Sequence, residues 1–206
     1  MSHVASHARV RSRRRRRGYG PVLALGALLL AVMIVYPLLT GGVKRNALPL
    51  SDASIIREQA AAKHLDPALI AGVIYAESKF EPSTSSAGAE GLMQILPETA
   101  YYLAHLSGGR RFTASDLATP EINVAYGSYY LRYLLDHYEG DEMLALAAYN
   151  GGLTNVDRWV AKAREEGHSS LSVAAIPFPE TREYVRRVMS AQQAYRETYP
   201  RELGLG

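Results

Sequence analysis

The sequence predicts an all-α domain from Ser51 onward, behind a single N-terminal transmembrane helix. Three observations carry that reading. Apolar residues recur at helical spacing with no run of strand-like alternation, cap-and-proline pairs open the segments, and glycines or prolines close them.

Seven arginines lie between Arg9 and Arg17, five of them consecutive. No charged residue follows from Gly18 to Val43, and Pro21 to Leu39 is almost wholly apolar. A helix crossing a bilayer core needs roughly 20 such residues. Residues 1–17 are therefore expected as a basic cytoplasmic tail, 18–40 as a transmembrane signal anchor and 41–50 as a short linker. The arginines stay inside and the remainder is sent across the cytoplasmic membrane. A cleaved signal peptide is the competing reading, but Tyr36-Pro37-Leu38-Leu39-Thr40 offers no small-x-small cleavage site and the apolar run is long for a signal. The arginine run reads as a topology signal that meets anionic lipid. Without it the chain keeps 16 basic against 20 acidic residues, a net −4, and gives no reason for nucleic-acid binding.

The exported part, roughly 160 residues, suits one domain. After Ser51 and Asp52 a helix carries Ile55, Ile56, Gln59 and Ala60 on one side, with Lys63 near its end. Asp66 then caps and Pro67 opens a second helix, whose Leu69, Ile70, Val73 and Ile74 form a core-facing stripe. Pro82 to Gly91, rich in Ser, Gly and Ala, reads as an irregular loop. Pro97 opens a helix to about Leu106, and Gly108-Gly109 breaks it. Thr119-Pro120 starts a long helix ending near Tyr138, stopped by Gly140, in which Gly127 is expected to permit close contact with another helix. Asp141 caps a helix to Asn150, ended by Gly151-Gly152. Residues 153–166 form an amphipathic helix carrying Val156, Trp159 and Val160, and a last helix runs from about Glu180 to Tyr199, with Tyr184, Val188, Gln192 and Tyr195 on one stripe. Residues 200–206 are left as a tail.

Most site chemistries are excluded. Without cysteine there are no disulfides, thiol nucleophiles or thiolate metal sites. The six histidines, at positions 3, 7, 64, 105, 137 and 168, are not paired at ligand spacing, so no metal is expected. No phosphate-binding glycine loop, dinucleotide fingerprint or Gly-x-Ser-x-Gly elbow is present, and no cofactor is expected. Carboxylate chemistry remains, and Glu77 is its candidate. It occupies the next position on the apolar stripe of the Pro67 helix. A carboxyl held against apolar surface has its charged form disfavoured, and one still protonated near neutral pH is a competent general acid. The competing reading is a helix-end Glu that turns to solvent.

The segments after Glu77 decide between these. Glu77-Ser78 is followed by Ser85-Ser86-Ala87-Gly88-Ala89-Glu90-Gly91-Leu92-Met93-Gln94-Ile95, then Ala148-Tyr149-Asn150-Gly151-Gly152, then Ile176-Pro177-Phe178-Pro179-Glu180-Thr181-Arg182-Glu183-Tyr184-Val185. This ordered set resembles the lytic transglycosylases of the soluble-lytic-transglycosylase type, which share a lysozyme-like fold with goose-type lysozymes. The resemblance covers roughly Ser51 to Tyr199, taken as the catalytic domain, 51–199.

The resemblance implies cleavage of the β-1,4 bond between N-acetylmuramic acid and N-acetylglucosamine in peptidoglycan. The muramic 6-hydroxyl replaces water and leaves a 1,6-anhydro end. Glu77 matches the single acid/base. Hydrolytic glycosidases need a second carboxylate, whereas here the nucleophile belongs to the substrate. Ser85 matches a serine on the N-acetyl side of the substrate; counting from Gly91 selects Ser85, counting from Glu77 selects Ser86. Met93 and Gln94 are expected on the cleft floor, Met93 with plain core packing as the equal alternative. Tyr149 is expected to set its hydroxyl near Glu77, Asn150 either to meet substrate or to cap its helix, and Glu180 and Tyr184 to face the cleft. Glu90 reads as a solvated surface residue. The expected partners are peptidoglycan glycan strands, the cytoplasmic membrane through the N-terminal helix, and cell-envelope assembly proteins. A goose-type hydrolase and a non-catalytic glycan-binding module are the rival functions.

Overall fold

The computed structural model describes residues 48–108 and 112–206. The expected tail, the signal anchor and most of the linker, residues 1–47, lie outside the described residues, as does Gly109. Among the described residues no helix is long and apolar enough to cross a membrane. Leu48–Gly206 forms one compact unit.

Seven α-helices build it: α1 (Ala53–Lys63), α2 (Pro67–Glu77), α3 (Pro97–Ser107), α4 (Pro120–His137), α5 (Glu142–Gly151), α6 (Leu153–Glu165) and α7 (Pro179–Thr198). Two antiparallel strands of two residues each, β1 (Ser83–Thr84) and β2 (Glu90–Gly91), lie between α2 and α3. Short 3-10 turns at Ala114–Ala118 and Val173–Ala175 complete the elements of the described residues.

The core forms around α2. Asp66 accepts from the Ala68 amide at 2.9 Å, and Pro67 occupies the first turn. The expected one-sided stripe is only part of the burial, because Ala68 through Ile74 are all enclosed. Ala71 and Gly72 explain the difference: they let α7 lie against the second face of the helix. A Cβ at Gly72 would stand 3.0 Å from the Val188 carbonyl oxygen and 3.1 Å from the Gln192 amide. The two helices therefore pack nearly backbone to backbone. α4 contacts α1 and α5, and α5 in turn lies on α6 and α7.

Asp141 caps α5 as expected, accepting from the Leu144 amide at 3.0 Å. Thr119 sits at the N-cap of α4 but makes no side-chain cap bond. Residues 200–206, expected as a tail, fold back: Leu203 is buried and the Arg57 guanidinium donates to the Glu202 carbonyl. The end of the expected linker is likewise held, since the Tyr199 and Tyr195 hydroxyls donate to the Leu48 and Pro49 carbonyls at 2.6 and 2.5 Å.

Candidate active site

Glu77 is the last residue of α2 and is partly buried. Its carboxyl stands at the negative end of the helix dipole, which disfavours the anion. Burial disfavours it more, and raises the pKa to about 7. Three groups on α7 modulate this. The Tyr184 hydroxyl and the Arg187 guanidinium stabilise the carboxylate, and Glu180 opposes it. Tyr184 is buried, and its hydroxyl has no hydrogen bond of full geometry, so its contact with Glu77 is loose.

After α2 the chain reverses through Lys79 and Phe80, both at positive φ. Ser78 ties this corner to the next segment, its hydroxyl donating to the Leu92 carbonyl at 2.8 Å. The strand pair and the turn after it form a compact shelf. Ser83 pairs with Gly91 and Thr84 with Glu90, while Glu90 and Ile95 exchange backbone bonds at 3.0 Å. Gly91 is required here twice over. Its φ is +77°, and a Cβ would stand 2.2 Å from the Asn123 side-chain nitrogen.

Asn123 is the hub of the shelf. Fully buried on α4, it accepts from the Met93 amide at 2.8 Å and donates to the Glu90 and Leu117 carbonyls at 2.7 and 3.0 Å. The sequence reading missed it, since nothing in a lone Asn inside a helical pattern marks a residue that binds a distant turn.

The expected site residues divide by their contacts. Ser85 accepts from the Ala89 amide at 2.9 Å, which leaves its own proton free to donate; Ser86 is exposed. Gln94, at φ 47°, spends its amide nitrogen on the Ser83 and Gly91 carbonyls at 2.8 and 2.9 Å. Met93 is 0% exposed. Its side chain packs under Gly127, where a Cβ would meet the Met93 sulfur at 2.4 Å. Gly127 thus makes room for a side chain from the shelf and not for another helix. The apolar side chain this turn offers to solvent is Leu96, 41% exposed. Glu90, read as solvated, is half-buried and accepts from the Thr84 hydroxyl at 2.9 Å.

Tyr149, on α5, was expected to set its hydroxyl near Glu77; that hydroxyl donates to the Met93 carbonyl at 2.9 Å. Its ring lies parallel to that of Tyr184, 6.5 Å between centroids, and burial together with the Glu77 charge pushes its phenol well above the ordinary value. Asn150 is exposed at the end of the same helix, where its side-chain oxygen accepts from the buried Thr181 hydroxyl at 2.8 Å. Glu180 is exposed in the first turn of α7. Tyr130 stands 5.3 Å from Tyr149 and leads into a recess of about 340 Å³ lined by Glu98, Thr99, Tyr102, Tyr130, Tyr133 and Leu153. Among the described residues no cluster of His, Asp and Glu is arranged to hold a metal ion.

The family model for the transglycosylase SLT domain matches residues 54–172. The chain belongs to this family. Among curated relatives, the SLT domain is 29% identical over 150 residues to the soluble lytic murein transglycosylase of Escherichia coli strain K12, covering 72% of this chain and 23% of the relative. It is 31% identical over 173 residues to membrane-bound lytic murein transglycosylase C of Glaesserella parasuis, covering 74% of this chain and 46% of that protein. Among solved structures, an inactive Glu-to-Gln variant of the lytic transglycosylase Slt of Pseudomonas aeruginosa superposes with a TM-score of 0.67 at 29% identity, covering 73% of this chain and 24% of the other. The 70 kDa soluble lytic transglycosylase of Escherichia coli gives 0.67 at 28%, covering 73% and 25%. The chain therefore spans about a quarter of the length of the soluble relatives it matches. The all-α, lysozyme-like expectation for the described residues agrees with these neighbours, and the two short strands are its only departure.

Proposed function

We propose that this SLT domain cleaves the β-1,4 bond between N-acetylmuramic acid and N-acetylglucosamine in peptidoglycan without water, leaving 1,6-anhydromuramic ends. The observation that carries this is Glu77, a carboxyl whose proton affinity burial has brought to about 7 beside the buried Tyr184 and the half-buried Tyr149. A carboxyl so tuned is protonated often enough to donate and acidic enough to take a proton back. It first protonates the leaving glycosidic oxygen. The carboxylate then accepts the proton of the muramic 6-hydroxyl as that oxygen closes on its own anomeric carbon. Proximity within the substrate replaces a second enzyme carboxylate.

The other residues take supporting parts. Ser85 keeps a donor for the N-acetyl side of the sugar. Gln94, its nitrogen engaged, turns its carbonyl oxygen to substrate. Tyr149 fixes the shelf through the Met93 carbonyl, and Tyr184 offers its hydroxyl to the Glu77 carboxylate. Asn150 and Glu180 form the wall contributed by α5 and α7, and the tyrosine recess beyond Tyr149 offers flat amphipathic rings to further sugars. The Glu180 effect on Glu77 favours one second reading, hydrolysis of the same bond with Glu180 as base.

The full chain incubated with purified peptidoglycan separates these readings by mass spectrometry of the released muropeptides. Products one water lighter than hydrolytic ones, with no reducible end, are expected. Reducing ends would transfer the assignment to the hydrolase. Binding without release would transfer it to a glycan-binding module.

We further propose that residues 18–40 anchor the enzyme in the cytoplasmic membrane with its domain on the extracytoplasmic side, supported by the arginine run before an uncharged apolar stretch. The untreated chain is expected in the membrane fraction, and protease added to intact spheroplasts is expected to degrade its domain. Protection from protease would reverse the orientation.

A further inference from the structure

The four arginines of α7 are not equivalent. Arg182 donates to the Ile176 carbonyl at 2.5 Å, Arg186 pairs with Glu183 at 2.5 Å and Arg196 pairs with Asp66 at 2.5 Å. Among the described residues Arg187 makes no ion pair. It lies over an aromatic ring: the guanidinium carbon is 5.9 Å from the centroid of Tyr184, one helical turn before it. Glu180, Tyr184 and Arg187 follow at the spacing i, i+4, i+7, so one stripe of α7 presents an anion, a phenol and a cation in sequence.

We propose that Arg187 is a positioning residue for Glu77: its guanidinium, packed on the Tyr184 ring, offsets the charge that Glu77 acquires on releasing its proton and holds the phenol that meets that carboxylate. The inference rests on the role proposed above for Glu77. Four groups bear on this carboxyl from the helices packed around it, namely Tyr184, Arg187 and Glu180 on α7 and Tyr149 on α5. Arg187 and Tyr184 favour the anion and Glu180 disfavours it. The two phenols stay neutral at physiological pH, burial and the Glu77 charge both raising them. The balance between Arg187 and Glu180 is therefore the adjustable part. A cation over the face of an aromatic ring also restricts that ring, which matters here because the Tyr184 hydroxyl is buried with no hydrogen-bond partner of full geometry among the described residues. Arg187 thus keeps Glu77 acidic enough to protonate the leaving oxygen, within a setting whose burial works against ionisation.

The test reads the proton directly. Carbon-13 NMR titration of Glu side-chain carboxyls in the full chain, with Glu77→Gln used to assign the signal, gives the Glu77 midpoint. In Arg187→Gln it is expected to rise by roughly half a pH unit, the size that one solvent-screened charge supplies. Arg187→Lys is expected to restore much of it, and Glu180→Gln to move it the opposite way. The alkaline limb of kcat/KM is expected to move up with the midpoint in Arg187→Gln. An unmoved midpoint in Arg187→Gln overturns the proposal, as does a change confined to KM, which would make Arg187 a substrate contact. A midpoint that moves while the pH profile stays still supports the influence of Arg187 on Glu77 and sinks the catalytic reading of Glu77 instead.

Discussion

At the residue scale, the site rests on one carboxyl held where ionisation is unfavourable. Replacing Glu77 with Gln is expected to lower turnover about 10²–10⁴-fold, the usual worth of a positioned general acid, measured as anhydromuropeptide release. The same variant carries a stability signature. The folded pKa of about 7 stands above the ordinary 4.5. Between these values the folded state binds the proton more tightly than the unfolded chain. The benefit is complete below about pH 4.5 and lost as the pH climbs through 7. At pH 8 the buried charge costs about 3 kcal/mol. Glu77→Gln is therefore expected to raise the melting temperature at pH 8 and to leave it nearly unchanged at pH 4; equal effects at both would contradict a raised pKa. The partial burial of Glu77 was legible because its place on an apolar stripe is local in sequence. Arg187 was not, because its relation to Glu77 exists only once α7 lies on α2. Met93 shows the same limit: its sequence context left cleft floor and core packing equal, and the hole under Gly127 decided for the core.

At the element scale, the shelf between α2 and α3 depends on one side chain from α4. Asn123→Ala removes the partner of the Met93 amide and of the Leu117 carbonyl, while the Glu90 carbonyl keeps its bond from the Ile95 amide. A loss of about 2–4 kcal/mol is expected, at about 1–3 for each buried group left unpaired and with partial rehydration, read as a lower urea midpoint. Activity is expected to fall with it, because Gln94 and Ser85 are carried on that shelf. Asp66 joins two elements: it caps α2 and accepts from Gln192 and Arg196 of α7 at 2.9 and 2.5 Å. Asp66→Ala is expected to cost about 1–2 kcal/mol, most of it the lost cap, by the same measurement. The helices themselves were legible, since Asp66-Pro67, Asp141 and Gly140 are local stop and start signals. The two strands were not. Two residues per strand leave no alternation to detect, and their pairing is held by Asn123 and Gln94.

At the scale of the whole molecule, both ends of the folded unit are fastened to its interior. Tyr195 and Tyr199 hold residues 48–49 by their carbonyls, and Leu203 packs into the core. A double Tyr195→Phe, Tyr199→Phe variant is expected to keep its fold while residues 48–50 become susceptible to limited proteolysis; unchanged protection there would mean that the two bonds do not hold the segment. By itself the sequence determined the helical content and order, the absence of cysteine chemistry, the candidate acid and the family resemblance. All of these are written in periodicity, caps and short motifs among near neighbours. Tertiary structure alone decided that α2 is enclosed on all sides, that Tyr149 serves Met93, that Asn123 holds the shelf, and that Arg187 lies over the Tyr184 ring. The physical reason is one of range: a cap or a turn is settled within four residues, whereas burial, a raised pKa and a partner for a buried amide depend on groups many residues away that only packing brings together.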